Sequence, residues 1–410
     1  MISELYRDCP WLWAPILRCS FNSGLARGEM SPQQRRGIIC LIFKAKSKLD
    51  LGNWRPVTLL PKQYAVCSLC LNNRWTPHAP KLLLTDQAGF TTGRQMYWNI
   101  RKSIDAVDFA RERDLDLALV AADFRKAFDA LDRGYLFRIL NRMLGVVQRS
   151  AEYSEAEMVD RGLDLGGDCT RQENLPDAGF VLWVKCLYAR HERVVRVNGY
   201  ETEPLPLYSG VPQGDILAAS CFGVGVEPLG RMLADAGLRG VTTDDGENMS
   251  FCRFADDIEL FVHPDDLDAA LDVVAVYCAA TGMFLNRLKT EGLWIGKRRD
   301  CPIPWTGAAY ADAPAAERAT ARLTWLRPGG SIRVLGVQVG DSNTADDEWR
   351  DVANRMLTAM RRWTGTRLTY QARVLILQAT VWSMASFLAL YRTPPLGLLD
   401  KMYAASRYFL

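Results

Sequence analysis

The sequence predicts an α+β fold built on an antiparallel sheet, and three stretches predict it. "DLDLALVAAD" is a branched, apolar run ending at Asp123, the pattern of a buried strand. "SFCRFADDIELFV" reads as two short aromatic and branched strands joined by Ala-Asp-Asp. "RVVRVNGYETEPL" is a hairpin signal, because Asn198-Gly199 suits a type I′ turn between alternating strands.

Helices interleave with these strands. "DRGYLFRILNRML" has helical spacing with Asp132 as its N-cap. "YSGVPQGDILAASCFGVGVEPLGRMLADAG" is a glycine-bearing loop running into a helix capped by Asp215. The final 60 residues read as mostly helical. Val146 to Gly179, with eight acids against three arginines, and Arg298 to Ser331, rich in Ala, Pro and Arg, read as insertions.

At 410 residues and 49% hydrophobic, the chain is globular and long enough for two or three subdomains. Its net charge of +3 hides a segregation: residues 1–62 and 348–410 are each +6, which leaves −9 between them. Basic ends around an acidic centre suit a polyanion held from two sides with metal in the middle, though ordinary surface charge gives the same count. The eleven cysteines are scattered, only Cys67 and Cys70 are closely spaced, and with three histidines in the chain and no second pair nearby a zinc site is not expected. They read as reduced core residues of an intracellular protein, in nucleus or cytoplasm. Glu4 and Asp8 stand where a signal peptide carries positive charge. Val374 to Tyr391 is an uncharged run of 18 residues, the marginal length for a membrane helix. Gln378, Thr380, Ser383 and Ser386 interrupt it, so a buried helix and no membrane are expected.

The chemistry centres on Asp256 and Asp257, adjacent carboxylates in the middle of a hydrophobic run. Two such groups about 4 Å apart repel by roughly 4 kcal/mol at an effective dielectric of 20. A folded site therefore protonates one of them or brings in a cation. Asp123 joins them if its strand neighbours theirs. Converging carboxylates bind Mg²⁺, and two ions about 3.5–4 Å apart clamp an in-line phosphoryl displacement. Taken alone, "ADD" is more often a surface turn.

In order along the chain, "GIICLIFKAKSKLDLGNWRPVTLLPKQYAV", "TDQAGFTTGRQMYWNI", "ADFRKAFDALD", "SGVPQGDILAA", "FADD", "TGMFLNRLKTE" and "IRVLGVQVG" resemble the motifs of the reverse transcriptases of non-LTR (LINE-type) retrotransposons. The resemblance runs from about Arg36 to Gly340. It implies a right-hand polymerase: a short N-terminal extension at 1–35, fingers and the start of the palm at 36–122, palm with remaining fingers elements at 123–340, and a helical thumb at 341–410. The implied activity is RNA-directed DNA synthesis with two Mg²⁺ ions, Mn²⁺ being the alternative. The implied partners are an RNA template, a DNA primer and deoxynucleoside triphosphates; the oligomeric state is left open.

Residue by residue, the resemblance implies Asp123 and Asp256 as ligands of both metals, the Phe124 carbonyl assisting and Asp257 adding charge. Lys44 and Arg55 match the basic fingers positions that hold the triphosphate. Gln213 and Gly214 let backbone approach nucleotide and template. Phe128, five residues after Asp123, matches the aromatic that blocks a 2′-hydroxyl. Lys289 is a candidate proton donor to pyrophosphate, or a plain surface lysine. Asp129 reads as local helix support. The family often has arginine where Pro212 precedes Gln213 here, and no endonuclease or Cys/His knuckle is written in these residues. A catalytically inactive remnant, or a domesticated nucleic-acid-binding protein of the same fold, is the alternative reading. An RNA-directed RNA polymerase or intron maturase would share the aspartates.

Overall fold

The structure is a computed structural model describing residues 2–44, 47–145, 178–244, 246–287, 289–296, 323–326, 329–340 and 345–410. The two expected insertions lie almost entirely outside the described residues. The chain forms two compact units: Met1–Arg94 with Phe124–Asp235 and Val273–Leu285, and Gln95–Asp123 with Ala236–Asp272 and Asn286–Leu410.

The first unit is organised by a five-stranded sheet. Arg36–Phe43 and Trp54–Leu59 form an antiparallel hairpin with Ile42 opposite Arg55. On its other side Arg36–Phe43 pairs with Glu192–Val197 in parallel, Ile38 opposite Val194. This sheet is thus mixed. Parallel pairing needs a long crossover, and here about 150 residues separate the partners, so no local pattern announces it. The Asn198-Gly199 turn forms as expected, with positive φ of 51° and 86° and Val197 opposite Tyr200.

Two helices of this unit also follow the sequence. Arg133–Met143 starts where the Asp132 carboxylate accepts from the Tyr135 N–H at 2.6 Å. Ala218–Asp235 begins just after Asp215, whose carboxylate accepts from the Leu217 N–H at 3.3 Å. Tyr64, Leu71, Trp75, Phe180, Trp183 and Phe222 fill the core.

The second unit holds another five-stranded sheet, in the order Thr324–Trp325, Glu291–Ile295, Leu117–Ala122, Asp257–Val262, Phe251–Phe254. Its pairings are antiparallel except for the two-residue edge strand Thr324–Trp325. Leu117, Ala118, Leu119 and Val120 are buried, as a run without polar alternation requires. The helix Met96–Glu112 lays Ile100, Ile104 and Val107 against Leu119, Phe261 and Leu293, the spacing of one helical face.

The C-terminal helices close on a separate cluster that includes Trp349, Met356, Val381, Leu388, Met402 and Phe409. The segment Tyr370–Ala389 is a helix long and apolar enough to cross a membrane by length and composition, with 22% of that window buried. The expected buried helix is therefore corrected. Leu377, Val381, Ala385 and Leu388 form the buried stripe, while Gln378, Thr380, Ser383 and Ser386 are exposed together with Leu375, so one face packs and the other is open. The nine described cysteines are outside disulfides; Cys67, Cys186, Cys221 and Cys252 are buried, Cys9, Cys40 and Cys278 half-buried and Cys19 and Cys70 exposed, so the core reading holds in full for the first four alone.

Candidate catalytic site

In the second unit the strand ends bring carboxylates together. Leu117–Ala122 pairs with Asp257–Val262 with Ile258 opposite Ala122; continuing that register by one residue sets Asp257 across from Asp123. The connection is tighter than Ala-Asp-Asp. Phe254 pairs with Asp257, so Ala255 and Asp256 alone make the turn, and Asp257 is already strand. Ala255 takes a left-handed φ of 57°, uncommon for a residue with a Cβ and a sign of a tightly determined turn.

The electrostatics follow the geometry. Partial desolvation, then the charges of Asp256 and Asp123, push the Asp257 carboxyl up to about 6 although it remains exposed. Burial leads this shift, and the mutual repulsion expected of anions sharing a site adds to it. Among the described residues, no three His, Cys, Asp or Glu side chains stand close enough to hold a metal ion unaided. This donor set still fits Mg²⁺, which is usually held by one or two carboxylates together with substrate phosphates rather than by an all-protein cage.

Two neighbours of this centre are not singled out by the sequence motifs. Glu259 faces the same side of its strand as Asp257, is 2% exposed, and accepts a hydrogen bond from the Cys252 Sγ at 3.2 Å. Burial, then the nearby Asp257, push its carboxyl up to about 8, so it is largely neutral at pH 7. The signal was available, since a glutamate interrupts the apolar strand "DIELFV". Asn286 donates its side-chain Nδ2–H to Asp123 Oδ2 at 2.9 Å and its backbone N–H to the Asp123 carbonyl at 2.6 Å. Lys289 is exposed, just before the strand Glu291–Ile295, with its backbone N–H on the Asn286 carbonyl at 2.9 Å.

The first unit carries the residues matched to nucleotide binding. Lys44 and Arg55 belong to the two sides of the Arg36–Leu59 hairpin and are exposed. The Lys44 N–H donates to the Asn53 carbonyl at 2.9 Å. Strand Trp54–Leu59 also holds the glycine loop: the Thr58 N–H donates to the Gln213 carbonyl at 2.7 Å. Gly214 has φ 114°, and a Cβ there would run into the Thr58 carbonyl oxygen. No side chain fits at that position. The loop's other flank is pinned by Val211 N–H to Phe128 carbonyl and Gly210 N–H to Leu131 carbonyl, both 2.8 Å.

Phe128 is half-buried, stacked on Phe222 with centroids 4.2 Å apart at 14°, while Phe90 meets it edge-on at 6.2 Å. The Phe124 ring is core, 4% exposed and edge-on to Tyr277 at 6.3 Å. Asp129 is half-buried, and burial raises its carboxyl. Asp215 turns out to be more than a cap. It is buried, accepting from Ser68, from Tyr188 at 3.1 Å and from Tyr64 at 3.4 Å, and burial raises its carboxyl. It ties the glycine loop to the helices Lys62–Trp75 and Ala178–Tyr188.

Comparison with known proteins gives three findings. The profile of the family described as reverse transcriptase (RNA-dependent DNA polymerase) matches residues 168–339, a span that contains Asp256 and Asp257 and begins after Asp123. The Transposon TX1 uncharacterized 149 kDa protein of Xenopus laevis is 25% identical over 381 residues, which is 92% of this chain and 26% of that protein. The chain thus spans about a quarter of that relative's length. Among solved structures, telomerase from Candida albicans in complex with the TWJ fragment of telomeric RNA superposes with a TM-score of 0.43 at 14% identity, covering 97% of this chain and 62% of that one. Apo telomerase from Candida tropicalis gives 0.42 at 14% identity, over 70% and 50%.

Proposed function

Since this chain carries a reverse transcriptase domain of the non-LTR retrotransposon type, we propose that it extends a DNA primer on an RNA template by two-metal nucleotidyl transfer. The observation that carries this reading is the strand register that sets Asp257 across from Asp123, with Asp256 in the adjoining turn, because carboxylates gathered at a strand end are ready partners for divalent cations. Mg²⁺ held by Asp123 and Asp256, with the Phe124 carbonyl, would neutralise charge as the primer 3′-oxygen bonds to the α-phosphorus and the bond to pyrophosphate breaks.

The chain's own residues then have separable tasks. Asp257 adds negative charge that keeps cations near. Lys44 and Arg55, both exposed cations on the hairpin, hold the triphosphate and offset charge on the departing pyrophosphate. Gln213 and Gly214 present backbone to the nucleotide. Phe128 closes the space a 2′-hydroxyl would need, and Lys289 gives a proton to pyrophosphate. In this reading residues 1–35 are an extension, 36–122 fingers and early palm, 123–340 palm with remaining fingers elements and 341–410 thumb, acting in nucleus or cytoplasm.

Primer extension by the purified protein on an RNA template with Mg²⁺ tests the proposal. Template-directed DNA synthesis that EDTA abolishes is the expected result. Binding of primer-template without synthesis in either Mg²⁺ or Mn²⁺ would favour the inactive, nucleic-acid-binding alternative.

A further inference from the structure

We propose that Asn286, backed by Thr290, is the positioning residue that sets the Asp123 carboxylate for its cation. The proposal rests on reading Asp123 as a metal ligand. Asp123 follows the last residue of the strand Leu117–Ala122, where the sheet ladder no longer fixes it. Three of its polar groups are instead taken up by one short segment. The Asp123 N–H donates to Thr290 Oγ1 at 3.3 Å, its carbonyl accepts from the Asn286 N–H at 2.6 Å, and its Oδ2 accepts from Asn286 Nδ2 at 2.9 Å. The Thr290 hydroxyl in turn donates to the Asn286 carbonyl at 3.0 Å, so the two clamp residues brace each other.

The chemistry of the pair explains why an amide belongs at this position. A carboxylate at a strand end rotates among several rotamers, and ordering it on metal binding costs entropy that a clamp removes in advance. An ionised carboxylate has about four lone-pair sites, so one bond from Asn286 to Oδ2 leaves Oδ1 and the rest of Oδ2 for cations. Lysine or arginine there would fix the carboxylate equally well but cancel its charge and repel the metal. A neutral amide orients without neutralising. Hydrogen-bond partners of ligating carboxylates typically change metal affinity 10–100-fold when removed.

The test is Mn²⁺ binding to the full chain in the presence of primer-template and a non-hydrolysable deoxynucleoside triphosphate analogue, followed by electron paramagnetic resonance, alongside the Mg²⁺ dependence of primer extension. Asn286→Ala should weaken Mn²⁺ binding and raise the half-saturating Mg²⁺ by about 10-fold or more. Turnover at saturating metal should return to near the parent value, a recovery that general misfolding would not allow. Unchanged Mn²⁺ affinity in Asn286→Ala would overturn the proposal. Should that variant fail to fold, Thr290→Val, close in size and lacking the hydroxyl that accepts from the Asp123 N–H and donates to the Asn286 carbonyl, should shift both readouts in the same direction, and no shift would count equally against it. Asp123→Asn separates the two layers. If it abolishes Mn²⁺ binding while Asn286→Ala leaves it intact, the clamp alone is wrong; if it too binds as the parent does, the metal reading falls and takes the clamp with it.

Discussion

The Phe128 ring lies flat on Phe222, centroids 4.2 Å apart and planes 14° from parallel, so one face of the expected sugar gate is already committed to the helix Ala218–Asp235. A half-buried ring backed in this way cannot yield to an added oxygen, which is what a gate requires. Phe128→Ala should raise ribonucleotide incorporation relative to deoxyribonucleotide and also cost about 1–3 kcal/mol of stability, below the full-burial cost of Phe→Ala. The ratio measured on one RNA template, next to a thermal melt, separates the effects. A destabilised but active variant with an unaltered ratio would assign Phe128 to packing alone.

Glu259 makes stability depend on pH. Its carboxyl is raised to about 8 in the folded chain from 4.5, so the folded state holds a proton that the unfolded state releases. The stabilisation by neutral Glu259 is full below about pH 4.5 and is lost as pH rises through about 8, amounting to at most about 5 kcal/mol. Glu259→Gln keeps an acceptor for the Cys252 thiol and cannot ionise. Denaturant melts between pH 5 and 9 should therefore show a flatter profile for the variant and a relative gain at the alkaline end. Parallel profiles would mean that Glu259 is not neutral in the folded protein.

Arg361, Arg362 and Arg367 are exposed in the second unit. If they contact phosphates, replacing all three by alanine should lower the slope of log affinity against log salt on duplex by up to about 3 × 0.9 units, without changing sequence preference. A salt titration of primer-template binding checks this, and an unaltered slope would mark them as solvated surface charge.

Much of the frame could be read from the chain, and the exceptions share one physical cause. Asp123 at a strand end, the Asn198-Gly199 turn and the Asp132 cap are local events, written within a few residues of themselves. The parallel pairing of Arg36–Phe43 with Glu192–Val197 is decided by partners far apart in sequence. Asn286 looks like an ordinary turn residue until the fold carries it to Asp123. Asp215 could be identified as a cap, but the Tyr64, Ser68 and Tyr188 hydroxyls that converge on it come from other helices. Glu259 was visible as an acid in an apolar strand; only the sheet shows that it shares a face with Asp257.

Asp256→Asn, compared with the parent chain in the same primer-extension assay on RNA with Mg²⁺, tests the central claim most directly. A neutral amide cannot hold divalent cations as a carboxylate does, so extension should fall by several orders of magnitude, the scale of losing a principal source of transition-state charge stabilisation. The fold should persist, because Asp256 is a turn residue outside both strands of its hairpin. Loss of synthesis with an unchanged melting temperature is the predicted result, and extension at near the parent rate would contradict the metal-centred account.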